Sequence, residues 1–111
     1  MCTNKKLDII FRKNIRFKDT GVLDLCLRGH PTLNITDPID GKMYFLLITS
    51  NKIDSKRYYK LKPTKRNKLK NISYVDLDYV YCEDYKNHIP YSKITENEYK
   101  EIIKLVKIKQ P

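Results

Sequence analysis

The sequence predicts a mainly β protein of the α+β class, in which a small, curled antiparallel sheet is closed by one carboxy-terminal helix. Short apolar or alternating segments recur between turn residues, whereas a single segment near the end has helical periodicity. The chain has 111 residues, enough for a single core without disulfide or metal staples. Residues 1–111 are therefore expected to form one domain.

The clearest predicted strand is Lys42–Thr49, which is apolar on both faces and therefore belongs in the middle of the sheet. The turn-rich segment 36–41 before it predicts a hairpin loop. Residues 7–17 fit either a strand or a short helix. The other expected features are strands at 22–27, 32–35, 57–62 and 73–81, a turn at 19–21 and an interruption at 28–31.

Alternation in segment 73–81 places Val75, Leu77 and Tyr79 on one face of the predicted strand. Asp76 and Asp78 then lie on the other face.

A helix is predicted after Thr95, because Glu98 follows three residues later and completes a capping-box pattern. Apolar residues then recur at helical spacing, which gives the helix one face for docking on the sheet. This stripe consists of Tyr99, Ile102, Ile103 and Val106. Acidic residues in the first turn and lysines near the end agree with the helix dipole.

Positive charge is concentrated in one part of the chain. The formal net charge is +10, and segment 52–70 contains nine cations and a single acid, Asp54. Such a focus predicts a polyanionic partner, with nucleic acid as the first candidate and an anionic membrane surface as the second. The segment contains Pro63, Asn67 and a Tyr58-Tyr59 pair, and so it does not fit a basic amphipathic helix. Nucleic acid is preferred, although a core strand followed by a solvated basic loop would show the same pattern.

The cysteines and the hydropathy indicate an intracellular setting. Cys2, Cys26 and Cys82 are odd in number and lack metal-ligand spacing, which is typical of reduced thiols. No apolar run is long enough for a signal peptide or a membrane span. We expect a cytoplasmic protein that does not associate with membranes.

Three segments fit one known family in order and spacing. Residues 28–35, Arg-Gly-His-Pro-Thr-Leu-Asn-Ile, resemble the G-x-R-P-x-L-V-I stretch of MazF/PemK/Kid-like toxin ribonucleases. Residues 48–50, Ile-Thr-Ser, are similar to their P-I-T-S strand end, and residues 73–78 with 94–98 resemble their later strand and final helix. The strand end followed by Lys52 looks closest to the ToxN and CptN toxins of type III toxin–antitoxin systems.

This resemblance implies an SH3-like barrel with a metal-independent, sequence-specific endoribonuclease activity that needs no cofactor. The RNA 2′-hydroxyl would act as nucleophile and leave 2′,3′-cyclic phosphate and 5′-hydroxyl ends. The partners implied are target RNA and an antitoxin of structured repeat RNA, which such toxins can process from a precursor. An oligomeric assembly of protein and RNA is also implied.

Cleavage of this kind needs a group that transfers protons near neutral pH. His30 meets that need, and Lys52 would do so if its pKa were lowered. The family has an arginine directly before the proline, where this chain has His30, and Arg28 lies two residues upstream. Arg28, His30 and Lys52 therefore all remain candidates for the proton transfer.

The phosphate needs cations or fixed hydrogen-bond donors. Arg28 can hold a phosphate oxygen bidentately, Thr49 and Ser50 offer hydroxyl donors, and Lys52 adds charge. No acidic cluster with metal-ligand character accompanies these residues, which disfavours a magnesium-dependent nuclease. Each residue also has an ordinary explanation, as a surface arginine, a loop histidine, a strand-end cap or a solvated lysine.

The remaining cations of the basic segment are expected to contact the RNA backbone, and its tyrosines to stack on bases. Only one tyrosine of the adjacent pair can face outward from a strand. The predicted RNA-binding residues are Lys56, Arg57, Tyr58, Tyr59, Lys60, Lys62, Lys65, Arg66, Lys68 and Lys70.

Two alternatives fit the same sequence. A type II toxin would be inhibited by a protein antitoxin, since a disordered acidic peptide would also bind the basic face. A non-catalytic small barrel would use the cations and tyrosines only to hold nucleic acid.

Overall fold

A computed structural model gives the fold and describes residues 5–18, 20–24 and 28–109, the last three for their backbone. Within these residues, antiparallel strands curl into a half-barrel that is followed by one helix, so the predicted α+β class is confirmed. The elements are β1 Asp8–Arg12, β2 His30–Asn34, β3 Lys42–Thr49, β4 Tyr58–Leu61, β5 Ser73–Asp76, β6 Tyr81–Asp84, β7 Ser92–Lys93 and α1 Glu96–Lys109.

Strand β3 is the centre of the sheet, as predicted. The strand order is β4-β5-β3-β2-β1-β7, and β6 also pairs with β3. One edge of β3 bonds to β2, while its other edge bonds to β6 along its first half and to β5 at its end. The sheet therefore divides at β3, with β5 and β6 sharing one edge.

Both faces of β3 are buried, which explains its continuous apolar sequence. Leu46 and Ile48 belong to the larger core cluster, which also contains Ile102 of α1. Phe45 and Leu47 point to the other face and form a smaller cluster. Thr49 follows them at the same alternation and so lies at the end of the face that carries the smaller cluster.

The hairpin predicted at 36–41 is confirmed. Ile39 and Lys42 exchange two backbone hydrogen bonds of 2.9 Å, and Asp40 and Gly41 between them have φ angles of 49° and 74°. Two consecutive positive φ angles define a type I′ turn, whose twist matches that of the flanking strands. The Asp-Gly pair thus fixes the connection from β2 to β3.

The predicted helix is also confirmed, with its capping box. The Thr95 N–H donates to Glu98 Oε1 at 2.9 Å, and the Glu98 N–H donates to Thr95 Oγ1 at 3.1 Å. The apolar stripe faces the sheet, with Ile102 and Val106 buried and Tyr99 and Ile103 partly buried.

The segment before β2 differs from the prediction. Residues 7–17, left open as strand or helix, contain β1. The strand expected at 22–27 is wrong for residues 22–24, where Leu23 makes only an isolated bridge to Arg16. Residues 25–27, and Asp19 of the predicted turn, lie outside the described residues.

The predicted strand 32–35 begins two residues earlier, at His30, and ends at Asn34. Pairing with β1 extends it, since Arg12 lies opposite His30. The ladder to β3 begins only at Thr32. Pro31 has no N–H to donate, and it lies before the first residue of β2 that pairs with β3, so no ladder hydrogen bond is lost.

The strand predicted at 73–81 is two strands, separated by residues 77–80. Asp76 is buried, and its Oδ1 accepts the Asp78 N–H at 2.9 Å, which turns the chain away from β3. Val75 and Leu77 pack in the larger cluster, but Tyr79 packs against the smaller one. The apolar alternation continues through the turn, which is why the pattern did not reveal it.

Candidate nucleic-acid interface

A row of polar side chains crosses five strands on one face of the sheet. Lys60 lies opposite Tyr74, Tyr74 opposite Thr49, and His30 opposite Arg12. The β2–β3 register, continued by two residues from the Thr32–Leu47 pair, places His30 opposite Thr49. Directly opposed residues share a face, so β-sheet register brings these five residues together from distant parts of the sequence.

A cleft of about 210 Å³ opens on this face where His30 and Thr49 meet. We call it the histidine cleft. Its lining consists of Phe17, Thr20, His30, Leu47, Thr49, Asn51, Ile53, Lys56, Tyr58 and Asp76. It therefore combines a titratable imidazole, a hydroxyl and a lysine with apolar walls, a combination suited to proton transfer on a bound ligand.

His30 is half-buried at the wall of the cleft. Burial lowers the pKa of its imidazole, against opposing effects from Asp24 and from the backbone of Ile48. Nδ1 lies 3.6 Å from an Asp24 carboxylate oxygen, and the Phe17 ring contacts the imidazole edge to face at 5.4 Å. Nε2 is enclosed and has no hydrogen-bond partner among the described residues. At neutral pH the imidazole is therefore predominantly neutral.

Thr49 shapes the mouth of the cleft. Its hydroxyl accepts the Asn51 N–H at 3.1 Å and donates to the Asn51 carbonyl at 3.2 Å, so the chain turns directly after β3. Ser50, predicted to act beside Thr49, is exposed and is not part of the cleft lining. The structure brings only one of the two predicted hydroxyls to His30.

Lys56 returns to the cleft through the loop after β3 and is held there by an ion pair. Its Nζ lies 3.0 Å from Asp76 Oδ2, and the two side chains are only 14% and 7% exposed. Because the Asp76 carboxylate neutralises Lys56, this lysine contributes a positioned donor more than net charge. The sequence predicted that Lys56 contacts the RNA backbone, and it did not reveal the ion pair with Asp76.

Net positive charge comes from an adjoining cavity of about 200 Å³, the lysine cavity, lined by Lys52, Ile53, Asp54, Lys56, Tyr58, Lys60 and Tyr74. It shares Ile53, Lys56 and Tyr58 with the histidine cleft, so the two cavities are adjacent. Lys52 Nζ lies 4.9 Å above the Tyr74 ring, a cation–π contact that positions the charge. Lys52 is thus beside the cleft and suited to attracting a phosphate.

The adjacent tyrosines point to opposite sides, as a strand requires. Tyr58 lines both cavities, and its ring lies 5.9 Å from that of Tyr74. Tyr59 packs against the larger core cluster and donates its hydroxyl to Glu101 at 2.8 Å. Burial and Glu101 raise the pKa of Tyr59 to about 12. Tyr58 remains a candidate stacking residue, whereas Tyr59 has a structural position.

Two arginines that were predicted as site residues lie outside the histidine cleft. Arg28 lines a separate cavity with Lys68, away from His30 and Thr49. Arg57 lies 3.7 Å from Asp78 and donates to the Leu105 carbonyl near the end of α1 at 3.4 Å. Arg57 therefore ties β4 to the helix, and neither arginine belongs to the cleft.

The basic loop 62–70 is held in one conformation by a buried asparagine. Asn67 is 1% exposed, and its side-chain oxygen accepts the N–H groups of Thr64 and Leu69 at 3.0 Å each. Its side-chain nitrogen donates to the Lys62 carbonyl at 2.9 Å. This arrangement presents an exposed group of cations without the entropy cost of ordering them on binding. They are Lys62, Lys65, Arg66, Lys68 and Lys70.

Replacing Asn67 with alanine is expected to lower the free energy of unfolding by about 1–3 kcal/mol, because three partly buried backbone groups lose their hydrogen-bond partner. Urea unfolding measures the loss, and amide exchange at Thr64 and Leu69 should accelerate. The matched control is Asn71→Ala, at an exposed residue. Equal stabilities of the two variants would show that Asn67 does not organise the loop.

The sequence did not single out a cluster formed by the buried Arg12 and the partly exposed Glu83 and His88. Arg12 is 1% exposed, and its Nε donates to Glu83 Oε2 at 2.6 Å. His88 Nε2 lies 3.0 Å from the same oxygen, and the Arg12 guanidinium lies 4.1 Å above the Phe45 ring. Burial lowers the pKa of Arg12, while Glu83 opposes this effect. Only the register of β1 against β2 places this arginine at the end of the polar row.

No protein-family model matches this chain, and a search of curated proteins finds no match. Among the described residues, no helix is long and apolar enough to cross a membrane.

Proposed function

We propose that this protein is a metal-independent endoribonuclease that acts as the toxin of a type III toxin–antitoxin system. The observation that carries this proposal is the meeting of His30 and Thr49 in a cleft that lies beside the lysine cavity and shares three lining residues with it. The resemblance of the same residues to the MazF/PemK/Kid-like toxins supports it. A cleft with a neutral imidazole beside positioned cations suits RNA, which supplies its own nucleophile.

In the proposed reaction, His30 accepts the proton of the RNA 2′-hydroxyl. The 2′-oxygen forms a bond to phosphorus, and the bond from phosphorus to the 5′-oxygen breaks. The departing 5′-oxygen takes a proton from solvent at the cleft mouth. The Thr49 hydroxyl exchanges its bond to the Asn51 carbonyl for one to a phosphorane oxygen, Lys56 donates to a second oxygen, and Lys52 supplies positive charge. The products are a 2′,3′-cyclic phosphate and a 5′-hydroxyl.

Cleavage is expected to depend on pH through His30. Because burial lowers the pKa of His30 below its usual 6.5, the neutral form persists to lower pH than in a free imidazole. The rate should fall only as pH drops through that lowered pKa, and it should be level through neutrality. A pH–rate profile of kcat/KM measures this. A fall in rate on the acid side of the profile that is centred above pH 6.5 would contradict the assignment of His30 as the base.

The proposal is tested by comparing two neighbouring hydroxyls. Thr49→Val is expected to slow cleavage of single-stranded RNA in EDTA by about 10²–10³-fold, as for loss of one donor to a developing oxyanion. Ser50→Ala should cleave at the wild-type rate, because Ser50 does not line the cleft. If wild-type protein leaves RNA intact, the catalytic proposal is wrong and a non-catalytic binding barrel is favoured.

The antitoxin is proposed to be an RNA because the lysine cavity and the basic loop together present a broad cationic surface. Purification from the native operon should yield protein with absorbance at 260 nm from repeats of one RNA, in an oligomeric assembly. A second polypeptide in place of RNA would instead indicate a type II system.

A further inference from the structure

A second concavity, next to the basic loop, does not belong to the proposed catalytic site. It has a volume of about 430 Å³ and is lined by Phe11, Arg28, Lys68, Ile89, Pro90 and Tyr91. We call it the arginine cavity. Phe11 precedes Arg12 in β1, so its side chain lies on the opposite face of the sheet from the polar row. The volume lies within the range of about 300–1,000 Å³ that is usual for small-ligand sites.

Fixed apolar surfaces form one part of this cavity. The Tyr91 hydroxyl donates to the Lys68 carbonyl at 2.7 Å, and the Tyr91 ring meets Phe11 edge to face at 5.1 Å. Both contacts hold the ring in place. Ile89 is 92% exposed, an unusual position for a large aliphatic side chain. The cavity therefore presents a fixed aromatic ring and an exposed aliphatic side chain to solvent.

Two cations border this apolar surface. Arg28 and Lys68 are both exposed, and neither forms an ion pair with a described residue. Lys68 has a φ of 56°, and its backbone is fixed by a bond from its N–H to the Thr64 carbonyl at 2.9 Å. The positive charges are thus available to an anion, and Lys68 projects from a fixed backbone.

We propose that the arginine cavity is a second binding site for single-stranded RNA, separate from the cleft and holding an unpaired nucleotide. The base packs on Tyr91 and Ile89, and the flanking phosphates bind Arg28 and Lys68. Flat apolar surface bordered by free cations matches a nucleotide better than an acidic peptide, whose carboxylates would leave the ring without a planar partner. This inference rests on the proposed function, since it extends the path of the same RNA. An RNA that occupies both sites must pass around an edge of the sheet.

The test measures the affinity of full-length protein for a labelled single-stranded RNA of about 15 nucleotides, by fluorescence anisotropy over a range of salt concentrations. The variant Arg28→Gln/Lys68→Gln should bind more weakly, and its salt slope should be smaller by about 1.4, the loss of two single-strand phosphate contacts. The matched control is Lys100→Gln/Lys104→Gln. It removes the same charge from exposed positions of α1 that line none of the cavities described above.

A second pair of variants tests stacking. Tyr91→Ala should lower the affinity by about tenfold, whereas Tyr91→Phe, which keeps the ring, should bind like wild type. Thermal unfolding identifies any loss due to misfolding. Ile89→Ser then tests the apolar contact at an exposed residue without adding charge, and a similar loss is expected.

The outcomes separate this inference from the proposed function. Weaker binding in the cavity variants, with the α1 control unchanged, supports a second RNA site. If cavity and control variants bind alike while wild type still binds RNA, the inference is overturned, and an acidic polypeptide becomes the better occupant. If wild-type protein binds no RNA, the inference and the proposed function both fail.

Discussion

Replacing His30 with asparagine is expected to slow RNA cleavage at neutral pH by about 10²–10⁴-fold, the usual contribution of a general base. The physical reason is that His30 is the imidazole lining the cleft, and its lowered pKa keeps it ready to accept a proton. Asparagine cannot accept the proton, although it retains a polar side chain of smaller size. Single-turnover cleavage of single-stranded RNA in EDTA measures the effect, and growth inhibition in a bacterial host should disappear in parallel.

The control for this substitution is His88→Gln. His88 lines neither the histidine cleft nor the lysine cavity, and glutamine can still donate to Glu83. This variant should cleave RNA at a rate close to wild type. RNA affinity should also survive in His30→Asn, which separates catalysis from binding. If a folded His30→Asn protein were as toxic as wild type, His30 would not be a catalytic residue.

Glu83→Gln is expected to produce the largest loss of stability, about 3 kcal/mol. The substitution leaves the Arg12 guanidinium, which is 1% exposed, without its counter-ion. The hydrogen bond to Thr32 Oγ1 and the contact with the Phe45 ring do not neutralise that charge. Since domains of this size have about 5–15 kcal/mol of stability, the loss is a large fraction of the total. Urea unfolding measures it.

The neighbouring residue in β6 provides the control. Asp84 pairs with Lys42 at 3.1 Å, but both side chains are largely exposed, so Asp84→Asn should have little measurable effect. The double variant Arg12→Met/Glu83→Gln should recover part of the loss, because it removes the buried charge together with its partner. Equal unfolding free energies for Glu83→Gln and Asp84→Asn would show that Arg12 does not depend on Glu83.

Elements governed by local sequence were predictable. The apolar run of β3 predicts a central strand whichever strands pair with it, because both of its faces must be buried. The Asp40-Gly41 turn and the Thr95–Glu98 capping box depend on residues close in sequence. The structure also brings His30 and Thr49, both predicted site residues, to one cleft.

Features governed by register and by distant ion pairs were not predictable. Arg12 joins the polar row only because β1 pairs with β2 in one particular register. The sequence placed Asp76 on the face opposite Val75, but it did not reveal the ion pair with Lys56, 20 positions away, that accompanies its burial. Arg28 is separated from His30 by one glycine, yet the two line different cavities. Proximity in sequence does not decide on which side of a sheet a residue acts.

The central claim, that this protein cuts RNA at the histidine cleft, is tested most directly by the end chemistry of RNA it has bound and cleaved. Protein purified from its native operon is extracted with phenol, and the released RNA is sequenced with its termini determined. We expect a discrete repeat with a 2′,3′-cyclic phosphate and a 5′-hydroxyl from wild type, and uncut precursor from His30→Asn. Heterogeneous RNA without defined ends, or the same ends from both proteins, would contradict cleavage at this site.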